Sequence, residues 1–485
     1  MNVPLASAGF LVSVILIYRM TRRSISPQIP GPPSHLLVGH TFQVPTMKPW
    51  KYFEKLWHQY GPIVKISLAG DDIVVLSDPS DAEELASLAR RARNYSSRRP
   101  LIYAGKYRSN NMRLSLLPYG DVLKRQRAAF HQMLQPRAVR GYEERQEMES
   151  LRLIVDLVRA PTGYYHHFQR FPASLLFKLT FGQPLNDDGK DLAAAIEIFT
   201  GFVKDLTPNA HLVDSFPMLD LLPDFLSPWR AEAKWKHQRE LELYGKLSLE
   251  VKARMQKNIE MECFAVRLWE QQEKLNIPDE ELFYSTLSMF NIFLSVGTDT
   301  NSVTLLWFVM AMALYPETME KAQREIDAVF NMDSLPSFTR MQDLPYCSAL
   351  IKELLRWAPA APLSIPHYSD DDDEYKGYTI RKGTTVISSL WNMHHNEKEF
   401  PNSYKFDPER FLCKSSGTGE VADSLREGHY AFGGLRQCPG QHMAAKSTWI
   451  AIVRVLWAFN IEVRKDAAGN PMKIDPEDCS SGLTS

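Results

Sequence analysis

Phe432-Gly433-Gly434-Leu435-Arg436-Gln437-Cys438-Pro439-Gly440 is a glycine-flanked loop that opens onto the helical-looking run Gln441 to Phe459. A thiolate at Cys438 would meet backbone N–H groups and the positive end of a helix, which favour ionised sulfur over thiol. Glycines at 433, 434 and 440 remove side chains around it, so a large flat ligand could lie close against the backbone. Such a sulfur suits a soft metal or haem iron better than a disulfide.

The rest of the composition agrees with an intracellular thiol. Five cysteines (263, 347, 413, 438 and 479) are odd in number and scattered, which argues against a disulfide framework and for a reducing compartment. With 485 residues the chain can bury a sizeable core. Its 56 basic and 57 acidic residues leave a formal charge of −1, so no overall field attracts nucleic acid. No G-x-x-x-x-G-K-[ST] phosphate loop is present, which removes weight from ATP chemistry.

Val3 to Tyr18 is almost continuously apolar and is followed by Arg19, Arg22 and Arg23, then Pro30, Pro32 and Pro33. This reads as an uncleaved membrane anchor over 1–20 with its basic flank in the cytosol, and a stiff linker over 21–36. The apolar stretch is short beside the about 17 to 25 residues of a full span. A cleaved signal peptide and an interfacial helix stay open as alternatives.

Ile63-Val-Lys-Ile-Ser67 and Ile73-Val-Val-Leu76, separated by Gly70-Asp71-Asp72, predict a β-hairpin. From Asp81 to about Phe330 the pattern is mostly helical, broken at Pro161, from Pro208 to Pro223 and at Pro278. Strand signals return around Tyr378 to Ile387, with Gly383 as a turn residue, and the acidic run Asp370 to Glu374 reads as a solvated turn. The expected fold class is mainly α with small β-sheets (α+β), a single body over 37–485.

Pro278 to Tyr315 reads as one very long helix, apolar nearly all round, which places it through the centre of the fold. In its middle lies the polar knot Val296-Gly297-Thr298-Asp299-Thr300-Asn301, whose hydroxyls can loosen the helical ladder and open a groove, or simply mark a satisfied kink. Glu353 and Arg356 stand three apart on one helix face, alone a weak surface pair. Downstream, Arg410 in Phe406-Asp-Pro408-Glu409-Arg410-Phe411 could share the Glu353 carboxylate and pin the loop that leads to Cys438.

Together these motifs resemble the cytochrome P450 superfamily of thiolate-haem monooxygenases, in particular its fungal (basidiomycete-type) membrane-anchored members of secondary metabolism. The matching pieces, in order, are Pro30-Gly-Pro-Pro33, Tyr119-Gly-Asp121 with Arg127-Ala-Ala-Phe-His131, Asp299-Thr300, Glu353 with Arg356, Ile365-Pro-His367, Arg410 and the cysteine loop. The resemblance implies haem b with Cys438 as axial thiolate, Asp299 and Thr300 as the pair that delivers protons during oxygen activation, and Glu353, Arg356 and Arg410 as a structural network. It also implies Arg127, His367 and Arg436 as ligands of the haem propionates, Phe432 as the ring beside the sulfur, and Gly440 against the haem. The first two keep bland readings, a solvated helix residue and a core histidine. Lys124 and Arg125 read either as surface charge or as part of a basic face for an acidic reductase.

The activity implied is oxidation, by hydroxylation or otherwise, of a lipophilic secondary metabolite, a terpenoid ahead of a polyketide or an indole. Electrons would pass from NADPH through NADPH–cytochrome P450 reductase, with cytochrome b5 as a second donor, at the endoplasmic reticulum membrane with the catalytic domain cytosolic. Three departures count against full activity. Phe432 lies six positions before Cys438 where relatives have seven, and Leu123 stands where relatives often carry tryptophan. Ser480-Ser-Gly-Leu-Thr-Ser485 resembles the turn that precedes a last β-hairpin in the family, which is not seen. An inactive haem protein, or an isomerase needing no external electrons, is the alternative.

Overall fold

A computed structural model describes residues 28–35, 38–68, 71–87, 89–182, 190–206, 210–257, 259, 263–278, 298–331, 334–414, 425–433, 436–466 and 468–476. The anchor, Val296-Gly297 and Ser480–Ser485 lie outside them. Among the described residues no single helix is long and apolar enough to cross a membrane.

The expected hairpin is present. Strands β1 (Ile63–Leu68) and β2 (Asp71–Leu76) pair antiparallel, with Ile63 opposite Leu76 and Ile66 opposite Ile73. The helices that follow include α1 (Asp121–Leu134), α2 (Glu143–Arg159), α3 (Tyr164–Phe181), α4 (Lys190–Asp205), α5 (Pro228–Gln256), α6 (Thr298–Leu314) and α7 (Pro345–Trp357). Late in the chain come β3 (His367–Tyr368), β4 (Asp373–Tyr375), β5 (Tyr378–Ile380), β6 (Thr385–Ser388) and the helix α8 (Gln441–Ala458). The larger sheet has the order β1-β2-β6-β3, with β2 and β6 parallel, while β4 and β5 form a two-stranded ribbon. The described residues are thus mainly helical with two small sheets.

The described part of the central helix, α6, packs against α3, α7 and α8. Leu305, Phe308 and Met312 on α6, Ile351 and Leu354 on α7, and Trp449, Ile450 and Val453 on α8 form one buried cluster. At Tyr315-Pro316 the chain bends by 106° into the next helix, because proline leaves no N–H for the preceding turn and disfavours a helical residue before it. Helix α7 begins with Pro345, and the Glu325 carboxylate accepts the N–H groups of Tyr346 and Cys347 at 2.7 and 2.8 Å. Those amides would otherwise lack partners, and a carboxylate also suits the positive helix end. Every residue from Cys347 to Trp357 is buried, so the charged pair on α7 sits inside the protein.

The acidic run is not a solvated turn throughout. Asp373 is buried, begins β4 and accepts the Tyr95 hydroxyl and the Arg91 Nε, each at 3.1 Å. Asp370 accepts the Ser97 hydroxyl, and only Asp371, Asp372 and Glu374 are exposed. The partners come from a segment about 280 residues away, where burial with a cation and a hydroxyl offsets the cost of desolvating the carboxylate.

Candidate functional site

The loop around Cys438 is held by its own backbone. Gly433 donates its N–H to the Tyr430 carbonyl at 2.9 Å, and Cys438 donates to the Phe432 carbonyl at 3.0 Å. Gly433 has φ +74°, a left-handed conformation that side chains with a Cβ rarely adopt, and nothing lies within 4 Å of where a Cβ would stand. A Cβ on Gly440 would lie 3.9 Å from the Cys438 Sγ. Cys438 as a whole residue is partly exposed, while Gly440 and Gln441 turn their N–H groups toward its sulfur at the start of α8.

Those donors do not decide the thiol's charge. Burial pushes the Cys438 thiol above its ordinary value, and the Gly440 N–H, the Arg127 guanidinium and the Gln441 N–H oppose that only in part. The N–H groups at the helix end do favour the ionised sulfur, as expected, but burial outweighs them. A cation bonded to the sulfur is what would tip the balance.

Around the loop three arginines and a histidine converge. Arg127 on α1 is partly buried and donates to the Gln437 carbonyl at 3.0 Å, so it is not a solvated helix residue. Arg436 donates to the carbonyls of Ser96, Leu117 and Leu114 at 3.0 to 3.1 Å. His367 is buried on β3 with Nδ1 2.7 Å from the Tyr95 carbonyl, which makes Nδ1 the donor. Burial holds all three below their ordinary pKa, Arg436 at about 10, and neighbouring guanidinium groups push Arg436 and His367 further down.

Arg98 is the member of this group that sequence reading missed. The residue is 8% exposed, its guanidinium donates through Nη1 to the carbonyls of Ile365 and Pro366, and Nε has no partner among the described residues. Burial, Arg436 and Arg127 hold it well below its ordinary value. Nothing in Arg98-Arg99-Pro100 distinguishes it locally from surface charge. Among the described residues no carboxylate acts on any of the four groups. Three guanidinium groups buried together without a carboxylate are costly, and a bound dianion would offset that cost.

Behind the loop, Arg356 donates through Nε and one Nη to the two oxygens of Glu353, and Arg410 Nε lies 3.1 Å from Glu353 Oε2. The Asp407 N–H adds a further donor to Glu353 at 2.8 Å. The sequence expectation of one carboxylate shared by two arginines holds, and it is buried rather than on a surface.

Asp299 and Thr300 lie on the first turn of α6, both partly exposed. Burial alone pushes the Asp299 carboxyl up to about 6. The neighbouring Asn301 accepts the Thr448 hydroxyl at 3.0 Å, and Thr304 donates back to the Thr300 carbonyl at 2.7 Å. This ties the polar knot to α8. Leu123 is buried among Phe130 and Met133, where it serves as core, and Lys124 is an exposed partner of Asp121 at 3.3 Å. Phe432 joins the rim of the main buried cluster, its ring 5.7 Å from that of His429.

Comparison with known proteins gives a consistent answer. The family model described as Cytochrome P450 matches residues 29–481. Cytochrome P450 monooxygenase 58 of Postia placenta is 33% identical over 95% of this chain and 86% of its own length. A cytochrome P450 monooxygenase of Armillaria gallica is 32% identical over 96% and 89%, and cytochrome P450 monooxygenase drtD of Aspergillus calidoustus is 35% identical over 96% and 85%.

Proposed function

The chain belongs to the cytochrome P450 family, and from that membership we propose that it is a haem-thiolate monooxygenase oxidising a lipophilic secondary metabolite. The observation that carries the haem assignment is the meeting of Cys438 with a buried cationic group that lacks a counter-charge. Bound haem supplies the iron chemistry by which dioxygen is activated and one oxygen atom enters an apolar substrate.

Cys438 would hold the haem iron through its sulfur, and Arg98, Arg127 and Arg436 would take its carboxylates through charge-assisted hydrogen bonds, with His367 joining them once a bound anion lets its ring take up a second proton. Phe432 limits water near the sulfur, and Gly440 lets the backbone approach. Asp299, with its carboxyl held at about 6, exchanges protons near neutral pH, and the adjacent Thr300 hydroxyl would relay them. Glu353, Arg356 and Arg410 fix the loop that carries the ligand.

Electrons come from NADPH through a reductase, with cytochrome b5 as a second donor. The substrate is lipophilic, a terpenoid ahead of a polyketide or an indole, and the apolar residues within Tyr103 to Leu117 support its lipophilic character without choosing among these skeletons. Attachment to the endoplasmic reticulum is supported by Val3–Tyr18 with its basic flank, and by the exposed Leu212, Met218, Leu221, Phe225 and Trp235.

The test is the carbon monoxide difference spectrum of the reduced full-length protein in microsomes, followed by product mass with reductase and NADPH. A thiolate-type band and a gain of one oxygen are expected. A thiol-type band, or NADPH consumption no higher than background, would overturn the proposal.

A further inference from the structure

His394 lies in the fully buried interior between the Glu353 network and the cysteine loop, and its two polar ends face one each. Its carbonyl accepts Arg356 Nη1 at 2.8 Å. Its Nε2 lies 2.8 Å from the backbone nitrogen of Tyr430, which donates into the ring. Nε2 is therefore the acceptor and Nδ1 carries the ring proton. Among the described residues that Nδ1 has no partner, and an unpaired buried donor costs about 1 to 3 kcal/mol. Phenylalanine would remove that unpaired donor but leave the Tyr430 N–H without its acceptor, so what the imidazole supplies here is the acceptor.

What the acceptor holds is the start of the ligand loop. Tyr430 is fixed by His394 through its N–H and by ring stacking at 5.8 Å, and the next amide, Ala431, donates to His429 Nδ1 at 3.2 Å. The Tyr430 carbonyl then takes the Gly433 N–H, and the Phe432 carbonyl takes the Cys438 N–H. A continuous set of hydrogen bonds thus runs from Glu353 through Arg356, His394 and Tyr430 to the backbone that carries Cys438.

We infer that His394 is a positioning residue for the Cys438 loop, joining it to the Glu353–Arg356–Arg410 network so that the two are held as one unit. The inference rests on the reading of Cys438 as the haem ligand. Outer partners of a ligand govern its orientation and so its bonding.

The test compares full-length wild type with His394→Gln, His394→Asn and His394→Phe. Glutamine places an acceptor oxygen near the position of Nε2, whereas asparagine reaches only that of Nδ1. Measured on each are haem retention, the ratio of thiolate-type to thiol-type carbon monoxide bands, the iron reduction potential and the melting temperature. Expected are wild-type ratio and potential for His394→Gln, with haem retention weakened about tenfold and a larger thiol-type share for His394→Asn and His394→Phe. Equal ratios and potentials in all variants, or a His394→Gln chain as altered as His394→Asn, would overturn it. If His394→Phe does not fold, the glutamine and asparagine pair decides alone. A wild-type chain without a thiolate-type band would instead sink the reading of Cys438.

Discussion

Arg356 grips Glu353 in a two-point hydrogen bond, Nε to Oε2 at 2.7 Å and Nη2 to Oε1 at 2.8 Å, with neither side chain exposed to solvent. Removing one partner strands the other charge in the core. Arg356→Leu should therefore cost about 3 to 5 kcal/mol of stability in urea unfolding. Arg410→Ala, at a partly exposed side chain that only adds to a satisfied pair, should cost about 1 kcal/mol. Equal losses would show that the network has no buried centre.

A second buried ion cluster ties the segment around Ile102–Tyr107 to α5. Glu240 accepts Arg108 through Nε at 3.2 Å and Nη2 at 3.1 Å, and also accepts Arg113, all three at most 3% exposed. Glu240→Ala leaves two guanidinium groups without that carboxylate and should destabilise by about 3 to 5 kcal/mol. Hydrogen exchange should then quicken first in residues 101–113. Uniform quickening across the protein would contradict the assignment of this cluster to that segment.

Asp299 gives a signed pH dependence. Burial raises its carboxyl from the ordinary value near 4 to about 6, so the folded state binds its proton more tightly than the unfolded chain. Stability from this group is full below pH about 4 and falls as pH rises to about 6, then stays low. Asp299→Asn removes the titration, so the variant should be more stable than wild type by about 1 to 3 kcal/mol at pH 7 to 8, with the gap closing below pH about 4. Urea midpoints across that range check the sign. The same substitution should lower product per NADPH and raise peroxide, measured with reductase at pH 7.

Arg98 offers a test of the cationic group that needs no substrate. Arg98→Lys keeps the charge but loses the planar fork, and Arg98→Leu loses both. Haem dissociation followed by transfer to an excess of an apo-globin should quicken about tenfold for the leucine variant and less for the lysine one. Unchanged rates in both would remove Arg98 from the site.

The features legible in the sequence were those whose partners lie close in the chain. The hairpin at 63–76 carries its own alternation and turn, the cysteine loop carries its own glycines, and Glu353 with Arg356 are three apart on one helix. Arg98 and His394 were not legible, because each acquires its meaning from segments remote in sequence, Ile365 and Pro366 for one and Tyr430 for the other. Asp373 misled for the same reason, since a run of carboxylates signals solvent unless Tyr95 and Arg91 are known to face it. The Cys438 thiol misled by magnitude. The donors at the head of α8 were read correctly, but desolvation outweighs them.

The parallel pairing of β2 with β6 sets an order of events at the ribosome. Ile73 to Leu76 emerge early and can close a hairpin with β1, yet their other edge waits for Thr385 to Ser388. At ordinary rates of translation the intervening about 300 residues take about 15 to 60 s, during which an apolar strand edge stands open. That edge is therefore a point at which the nascent chain can pair wrongly, and slow synthesis lengthens its exposure to aggregation.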